Sequence, residues 1–381
     1  MTEDETPPAC IEASPRVAAY VQLVEISAAV SEGRLDGASA DALYDELEMY
    51  LRLEIDRVLR RTPTPFCPSA ALPEVGSYIA REAAGTPVVA VRGPDGVVRA
   101  FRNACRHRGM TVAAGSGCSR ALVCRYHGWV YNLAGELRHI PHEAGFPGFD
   151  KAAHPLVPLA TTERHGLVYV TQDPSAGSEE DPLPGIDRLL SPDQRLFATA
   201  ERDFDANWKI LLESFIEGYH IKSTHPETFL PYGFDNLNVI DRFGRNSRVT
   251  YPFRRIARLE HVPPAERRVE GLLTYVYHLF PNVLITVLSR HTSVLVLEPL
   301  SVDRTRQYSY TLTNGGGDDP IALAEAKRDA EFVGTTGLME DRAVVHAIQR
   351  GLSSAANDAF TFGLYESAIV HFHRALSRAL S

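Results

Sequence analysis

Cys105-Arg106-His107-Arg108-Gly109 and Cys124-Arg125-Tyr126-His127-Gly128-Trp129 are the two stretches on which the fold turns. Each offers one thiolate and one imidazole. Residues 108 to 123, sixteen in all, lie between His107 and Cys124. Two Cys and two His can hold one tetrahedral zinc. They can equally hold a [2Fe–2S] centre with both Cys on one iron and both His on the other. The order Cys-x-His then Cys-x-x-His is not the Cys-pair-then-His-pair order of a zinc finger, which favours iron–sulfur. Gly109 and Gly128 follow the two halves and let the ligand loops approach closely.

A second constellation lies further on, in Asn207-Trp208-Lys209 through Glu213, Glu217, His220 and His225-Pro226. The pattern predicts a helix near 206–221. At about 100° per residue from His220, Glu217 falls at about 60° and Glu213 at about 20°. Leu211, Leu212, Phe215, Ile216 and Tyr219 cover most of the remaining surface. A helix apolar nearly all round is buried, and a buried stripe of two carboxylates and an imidazole needs partners or a metal. Pro226 biases His225 out of helix, so the helix end should bring both imidazoles together. A facial triad of non-haem iron also needs a carboxylate. Glu340 and Asp341 are the candidates. On a second wheel Asp341 is at the centre of a face made by Val344, Val345, Ile348 and Leu352, and Glu340 lies about 100° away, so Asp341 is preferred. His346 falls off that face and reads as surface. Glu213 reads as a helix-stabilising carboxylate hydrogen-bonded in the core.

With these motifs quoted, the chain resembles the Rieske non-haem iron oxygenases, and within them the terminal oxygenase (alpha) component. The carrying residues are Cys105-x-His107, Cys124-x-x-His127 with Tyr126 and Gly128-Trp129, Asn207-Trp208-Lys209, Glu217-Gly-Tyr-His220 with His225, and Glu340-Asp341. Arg125 stands where that family usually has proline. Met110 stands where respiratory Rieske proteins have a further cysteine. The resemblance implies a Rieske [2Fe–2S] cluster on Cys105, His107, Cys124 and His127, and a mononuclear Fe(II) on His220, His225 and Asp341. It gives Glu217 the role of a bridge, in a homotrimer, from the iron ligand His220 to His127 of a neighbouring subunit. Glu at this position resembles some members that oxidise quaternary ammonium compounds. Ser214 and Ile221, beside the ligands, are expected to border the substrate pocket.

The implied fold is α+β: an all-β Rieske domain and a helix-grip catalytic domain with an antiparallel sheet. The expected bounds are a helical extension over 1–62, ended by Thr62-Pro63-Thr64-Pro65, a Rieske domain over 66–173, and a catalytic domain over 186–381. Residues 173–185 read as a linker. Strands are expected around 272–313 and helices from about 320 onward.

Composition narrows the function classes. The 381 residues carry 39 Lys+Arg against 48 Asp+Glu, a net charge of −9, which argues against nucleic acid. Five cysteines, an odd and sparse set, are not a disulfide framework. No apolar run suggests a membrane span, and the acidic start does not read as a signal peptide, so a cytoplasmic location is expected. No Gly-x-Gly-x-x-Gly fingerprint is present, so electrons must come from a separate NAD(P)H-dependent reductase, with or without a ferredoxin. Arg106, Arg108 and Arg125 offer it a basic patch. The expected activity is O2-dependent hydroxylation or oxidative demethylation of a small organic substrate, with electrons from the cluster of a neighbouring subunit. The alternative is a Rieske electron-transfer protein without oxygenase activity.

Overall fold

A computed structural model describes residues 48–173, 183, 186, 189–316, 319–354, 356–357 and 360–381. Most of the expected extension and of the 173–185 linker lies outside them. Two compact units emerge: Leu59–Leu196, and a second made of Phe197–Ser381 with the described residues 48–58.

The first unit is all β. Its strands are β1 (Thr64–Pro68), β2 (Ser77–Ala83), β3 (Thr86–Arg92), β4 (Val98–Arg102), β5 (Gly115–Cys118), β6 (Leu122–Val123), β7 (Val130–Tyr131), β8 (Leu137–His139), β9 (Pro158–Arg164) and β10 (Leu167–Thr171). Seven form one sheet in the order β1-β10-β9-β4-β3-β2-β5, and β6-β7-β8 form a second. Val89, Val91 and Phe101 pack with Cys105, Cys124, Trp129 and Tyr131 in one cluster. The loops carrying both cysteines are therefore built onto the core of this unit.

The second unit is α+β. Strands β11 (Leu196–Phe204), β12 (Val239–Phe243), β13 (Asn246–Pro252), β14 (Leu273–Leu279), β15 (Val283–Val287), β16 (His291–Ser301) and β17 (Arg304–Thr313) form one sheet, ordered β11-β17-β16-β15-β14-β13-β12. From β12 to β17 each pairing joins sequence neighbours and is antiparallel. Val283, Leu284 and Ile285 are all fully buried, so β15 is covered on both faces. Helices are α1 (Trp208–Glu213), α2 (Ile221–Thr224), α3 (Pro320–Thr335), α4 (Gly337–Gly351) and α5 (Ser367–Leu380). On α5, Ala368, Ile369, Phe372, Ala375, Leu376 and Leu380 are buried at helical spacing, and they join the core shared with α1 and β13 to β16. No described helix is long and apolar enough to cross a membrane.

Residues 48–58 of the 1–62 stretch belong to this second unit. Val58 is buried in it, and Glu54 accepts from Trp208 Nε1 at 3.0 Å and Lys209 Nζ at 2.6 Å. Glu54 and Lys209 side chains are only 11% and 13% exposed. Breaking a buried pair strands a charge, so Glu54→Ala is expected to cost about 3–5 kcal/mol of stability, read from urea midpoints. An unchanged midpoint would place this segment outside the folding unit.

His278 on β14 makes a second prediction. It is fully buried, with Nε2 3.1 Å from Pro281 O and its ring edge-on to Phe372 at 5.1 Å. Burial pushes its pKa down from 6.5 to about 4. The unfolded chain binds this proton first, so stability is lost as pH falls from about 6.5 to about 4, by ~3 kcal/mol at one group. His278→Asn should flatten that part of the pH dependence of the urea midpoint.

Candidate metal centres

The two Cys/His loops share one backbone pattern. Cys105 N–H donates to Met110 O at 2.8 Å and Gly109 N–H to Cys105 O at 2.9 Å. Cys124 N–H donates to Trp129 O and Gly128 N–H to Cys124 O, each at 2.9 Å. The glycines close these turns at φ +79° and +73°, where a side chain would be strained. Each turn sends its cysteine inward and its histidine outward. Cys105 and Cys124 are buried, His107 is part-exposed and His127 exposed. The imidazole rings lie 4.6 Å apart, with His107 stacked on Trp129 at 4.8 Å. Tyr131 OH lies 3.3 Å from Cys105 Sγ and accepts from Arg106 N–H at 2.9 Å. Burial pushes the Cys105 thiol pKa up, and Cys124 beside it adds to the shift. Two buried unbridged thiols facing paired imidazoles fit a cluster whose inner iron takes sulfur and whose outer iron takes nitrogen. Cys118 is exposed on β5 and its Sγ contacts Val75 O instead.

The second constellation departs from the single helix expected over 206–221. α1 starts where the Asn207 side chain accepts from Lys209 N–H at 2.9 Å, and it ends at Glu213. Residues 214–220 form turns, and α2 begins at Ile221. Phe215 and Ile216 N–H groups bond three residues back, to Leu212 and Glu213, tightening the helix end. Glu217 then competes with the backbone: its carboxylate accepts from the N–H groups of Tyr219 and His220 and pairs with His220 Nδ1. The single polar stripe of the wheel is therefore broken in two. Glu213 faces α5, pairing with His373 at 2.8 Å. Glu217 turns to His220.

His220 and His225 bracket the one turn of α2, with ring centroids 5.2 Å apart. Asp341 projects from α4 between them, Oδ1 lying 2.7 Å from His225 Nε2 and 3.5 Å from His220 Nε2. One ligand atom from each of the three residues falls within 4.8 Å of the others. Both Nδ1 atoms are occupied by outer carboxylates, Glu217 on His220 and Glu340 on His225 at 2.7 Å. That leaves both Nε2 atoms aimed at one point. Thr228 Oγ1 also donates to Glu340, at 2.7 Å. Despite burial, which opposes it, the carboxylates of Asp341 and Glu217 raise the His220 pKa to about 9. His225 is raised in the same way, and Asp341 is lowered by the two imidazoles against its own burial. Two nitrogens with one carboxylate oxygen, whose donor atoms lie within 4.8 Å of one another, fit a divalent iron.

Ser214 Oγ bonds back to Leu211 O at 2.9 Å, and Ile221 opens α2 half-buried. His346 is half-buried edge-on to Phe204, not on the surface, and Ile348 is 40% exposed, so the apolar face of α4 is narrower than the wheel implies. Glu340 was weighed only as a ligand; its place on His225 Nδ1 needs α4 packed beside α2, which spacing along the chain does not give.

Comparisons with known proteins bear on both regions. Residues 193–381 match the family model "Ring hydroxylating alpha subunit (catalytic domain)", and residues 62–151 match "Rieske [2Fe-2S] domain". The chain is 30% identical over 338 residues to the carnitine monooxygenase oxygenase subunit of Escherichia coli (strain K12), covering 81% of this chain and 85% of that one. It is 27% identical to the glycine betaine monooxygenase oxygenase subunit of Chromohalobacter salexigens, over 79% of this chain and 76% of that one. Among solved structures, a quaternary ammonium Rieske monooxygenase in complex with an inhibitor superposes with TM-score 0.75 over 88% of this chain and 93% of that one. At 22% identity that likeness concerns the fold.

Proposed function

The chain belongs to the Rieske non-haem iron oxygenases as a terminal oxygenase alpha subunit, and from that premise we propose that it oxidises a small quaternary ammonium compound with O2. Its cofactors are a Rieske [2Fe–2S] cluster and a mononuclear iron. As an oxygenase component it works with a separate reductase. The substrate class is carried by the carnitine and glycine betaine monooxygenase relatives. The aromatic-ring alternative draws on the biphenyl dioxygenase alpha subunit of Paraburkholderia xenovorans, 32% identical over 200 residues.

In this reading Cys105, His107, Cys124 and His127 hold the cluster, and His220, His225 and Asp341 hold the iron. The observation that carries it is the convergence of both Nε2 atoms and the Asp341 carboxylate on one point, with each Nδ1 anchored by a carboxylate. Bound there, iron with open positions supplies the one-electron and O2 chemistry. The chain's own residues orient it. Glu217 fixes the tautomer of His220, Glu340 fixes that of His225, and Asp341 offsets the metal charge in a buried site.

Glu217 also links the centres, by facing His127 of a neighbouring copy. Met110, Val123 and Tyr126 are exposed around the Cys/His loops, and Tyr219, Leu364 and Tyr365 around the Glu217 turn. Two exposed apolar patches of different composition support a heterologous, ring-closed homotrimer. A cytoplasmic location accords with unbridged thiols and a nicotinamide-linked reductase.

Iron and acid-labile sulfide analysis tests the assignment. About three irons and two sulfides per chain are expected, falling to about two irons in His220→Ala. Two irons in both proteins after incubation with excess Fe(II) would leave an electron carrier. O2 uptake with carnitine, glycine betaine and choline, against an aromatic acid, then tests the substrate class.

A further inference from the structure

The break between α1 and α2 has a side chain seated in it. At Gly218 a Cβ would stand 2.8 Å from Cε1 of Tyr251 and 3.4 Å from Nδ2 of Asn238. Gly218 does not have a left-handed φ, so its requirement is for space, not backbone freedom. Tyr251 comes from β13, on the face that also carries Val249 into the core. Its hydroxyl reaches Phe215 O at 3.5 Å. One side chain therefore touches the turn on both sides of Glu217, at residues 215 and 218. Burial first, then the carboxylates of Glu217 and Asp341, hold its phenol well above the usual range, so it stays neutral beside the metal ligands.

Any larger residue at 218 would have to displace this ring or shift the turn. With the ring in place the backbone turns, and Glu217 folds back on Tyr219 N–H, His220 N–H and His220 Nδ1. We propose that Tyr251 is a positioning residue, whose ring against Gly218 fixes the turn that aims Glu217 at His220. This rests on the reading of Glu217 as the carboxylate that orients an iron ligand. It adds the element that holds that carboxylate in place, and it assigns the work to the ring edge, not the hydroxyl.

The test uses Co(II) as the probe, bound to full-length protein with its cluster intact and its mononuclear site emptied by chelation. The readouts are the dissociation constant and the ligand-field spectrum. Gly218→Ala is expected to weaken Co(II) roughly tenfold and to shift the spectrum in the same direction as Glu217→Gln. Tyr251→Phe keeps the ring and should stay within about twofold of the parent. Tyr251→Leu removes the ring and should weaken Co(II) about as much, and the double variant should be no weaker than either single, a coupling that independent sites would not give. If Gly218→Ala loses its cluster absorption, Tyr251→Leu alone is the reporter, with a similar weakening expected. Parental Co(II) binding by Gly218→Ala with an altered Glu217→Gln would overturn the ring's role. So would a Tyr251→Phe loss equal to that of Gly218→Ala, or a double variant whose loss is the sum of the two singles. An unaltered Glu217→Gln would instead overturn the orienting role of Glu217 itself.

Discussion

Glu217→Gln is expected to cut turnover on the order of a hundredfold while leaving the cluster absorption and cluster iron unchanged. The substitution keeps shape and removes charge. In the parent, one carboxylate accepts from the N–H groups of Tyr219 and His220 and pairs with His220 Nδ1. An amide offers one acceptor oxygen where these partners use two. It also turns an NH2 group toward either the Nδ1–H of His220 or the backbone N–H groups, where it is repelled. Without the charge, His220 loses the partner that fixes its tautomer, and on the proposed link between copies His127 of a neighbouring copy would lose its acceptor. The effect should fall on transfer between the centres. The check is stopped-flow re-oxidation of the reduced cluster on mixing with O2 and the compound that supports O2 uptake. Parental re-oxidation in Glu217→Gln would remove Glu217 from the electron path. Glu217→Asp keeps the charge at shorter reach and should recover part of the rate.

The cluster loops were readable because their chemistry is local. Cys105 and His107 are two residues apart, Cys124 and His127 three apart, and each pair shares one turn closed by a glycine. The strands of the second unit were readable for a similar reason, since β12 to β17 pair with sequence neighbours. The single helix expected over 206–221 fails because apolar spacing does not encode the break at residues 214–220, where Glu217 accepts from backbone N–H groups. Gly218 was the signal: a glycine between a carboxylate and a histidine, kept free of a Cβ by Tyr251 from a strand more than thirty residues away. Glu213 was readable as a paired core carboxylate, but its partner His373, on α5, was not, because only folding brings α5 to α1. The N-terminal stretch read only as a helical extension, because nothing in its own spacing shows that Glu54 is buried on Trp208 and Lys209.

Glu340→Ala is expected to weaken Fe(II) binding by about 10–100-fold without abolishing it. Glu340 and Asp341 are adjacent on α4, so their side chains diverge by about 100°. Asp341 enters the site, with its side chain 14% exposed, while Glu340, at 34%, reaches around to the far nitrogen of the same imidazole. His225 is thus held at both ring nitrogens, and its ring packs 4.7 Å from Phe229. Phe229 in turn occupies the space a Cβ at Gly337 would need, 1.9 Å from its Cζ, so the start of α4 is locked to the loop after α2. Removing the Glu340 carboxylate frees the His225 tautomer and strips Thr228 Oγ1 of its acceptor, but it leaves all three ligand atoms in place. Asp341→Ala removes a ligand outright, so its site should stay empty at Fe(II) concentrations that fill Glu340→Ala. Competition against a chromophoric Fe(II) chelator separates the two. Equal loss in both would make Glu340 a ligand in its own right, and parental affinity in Glu340→Ala would confine it to packing.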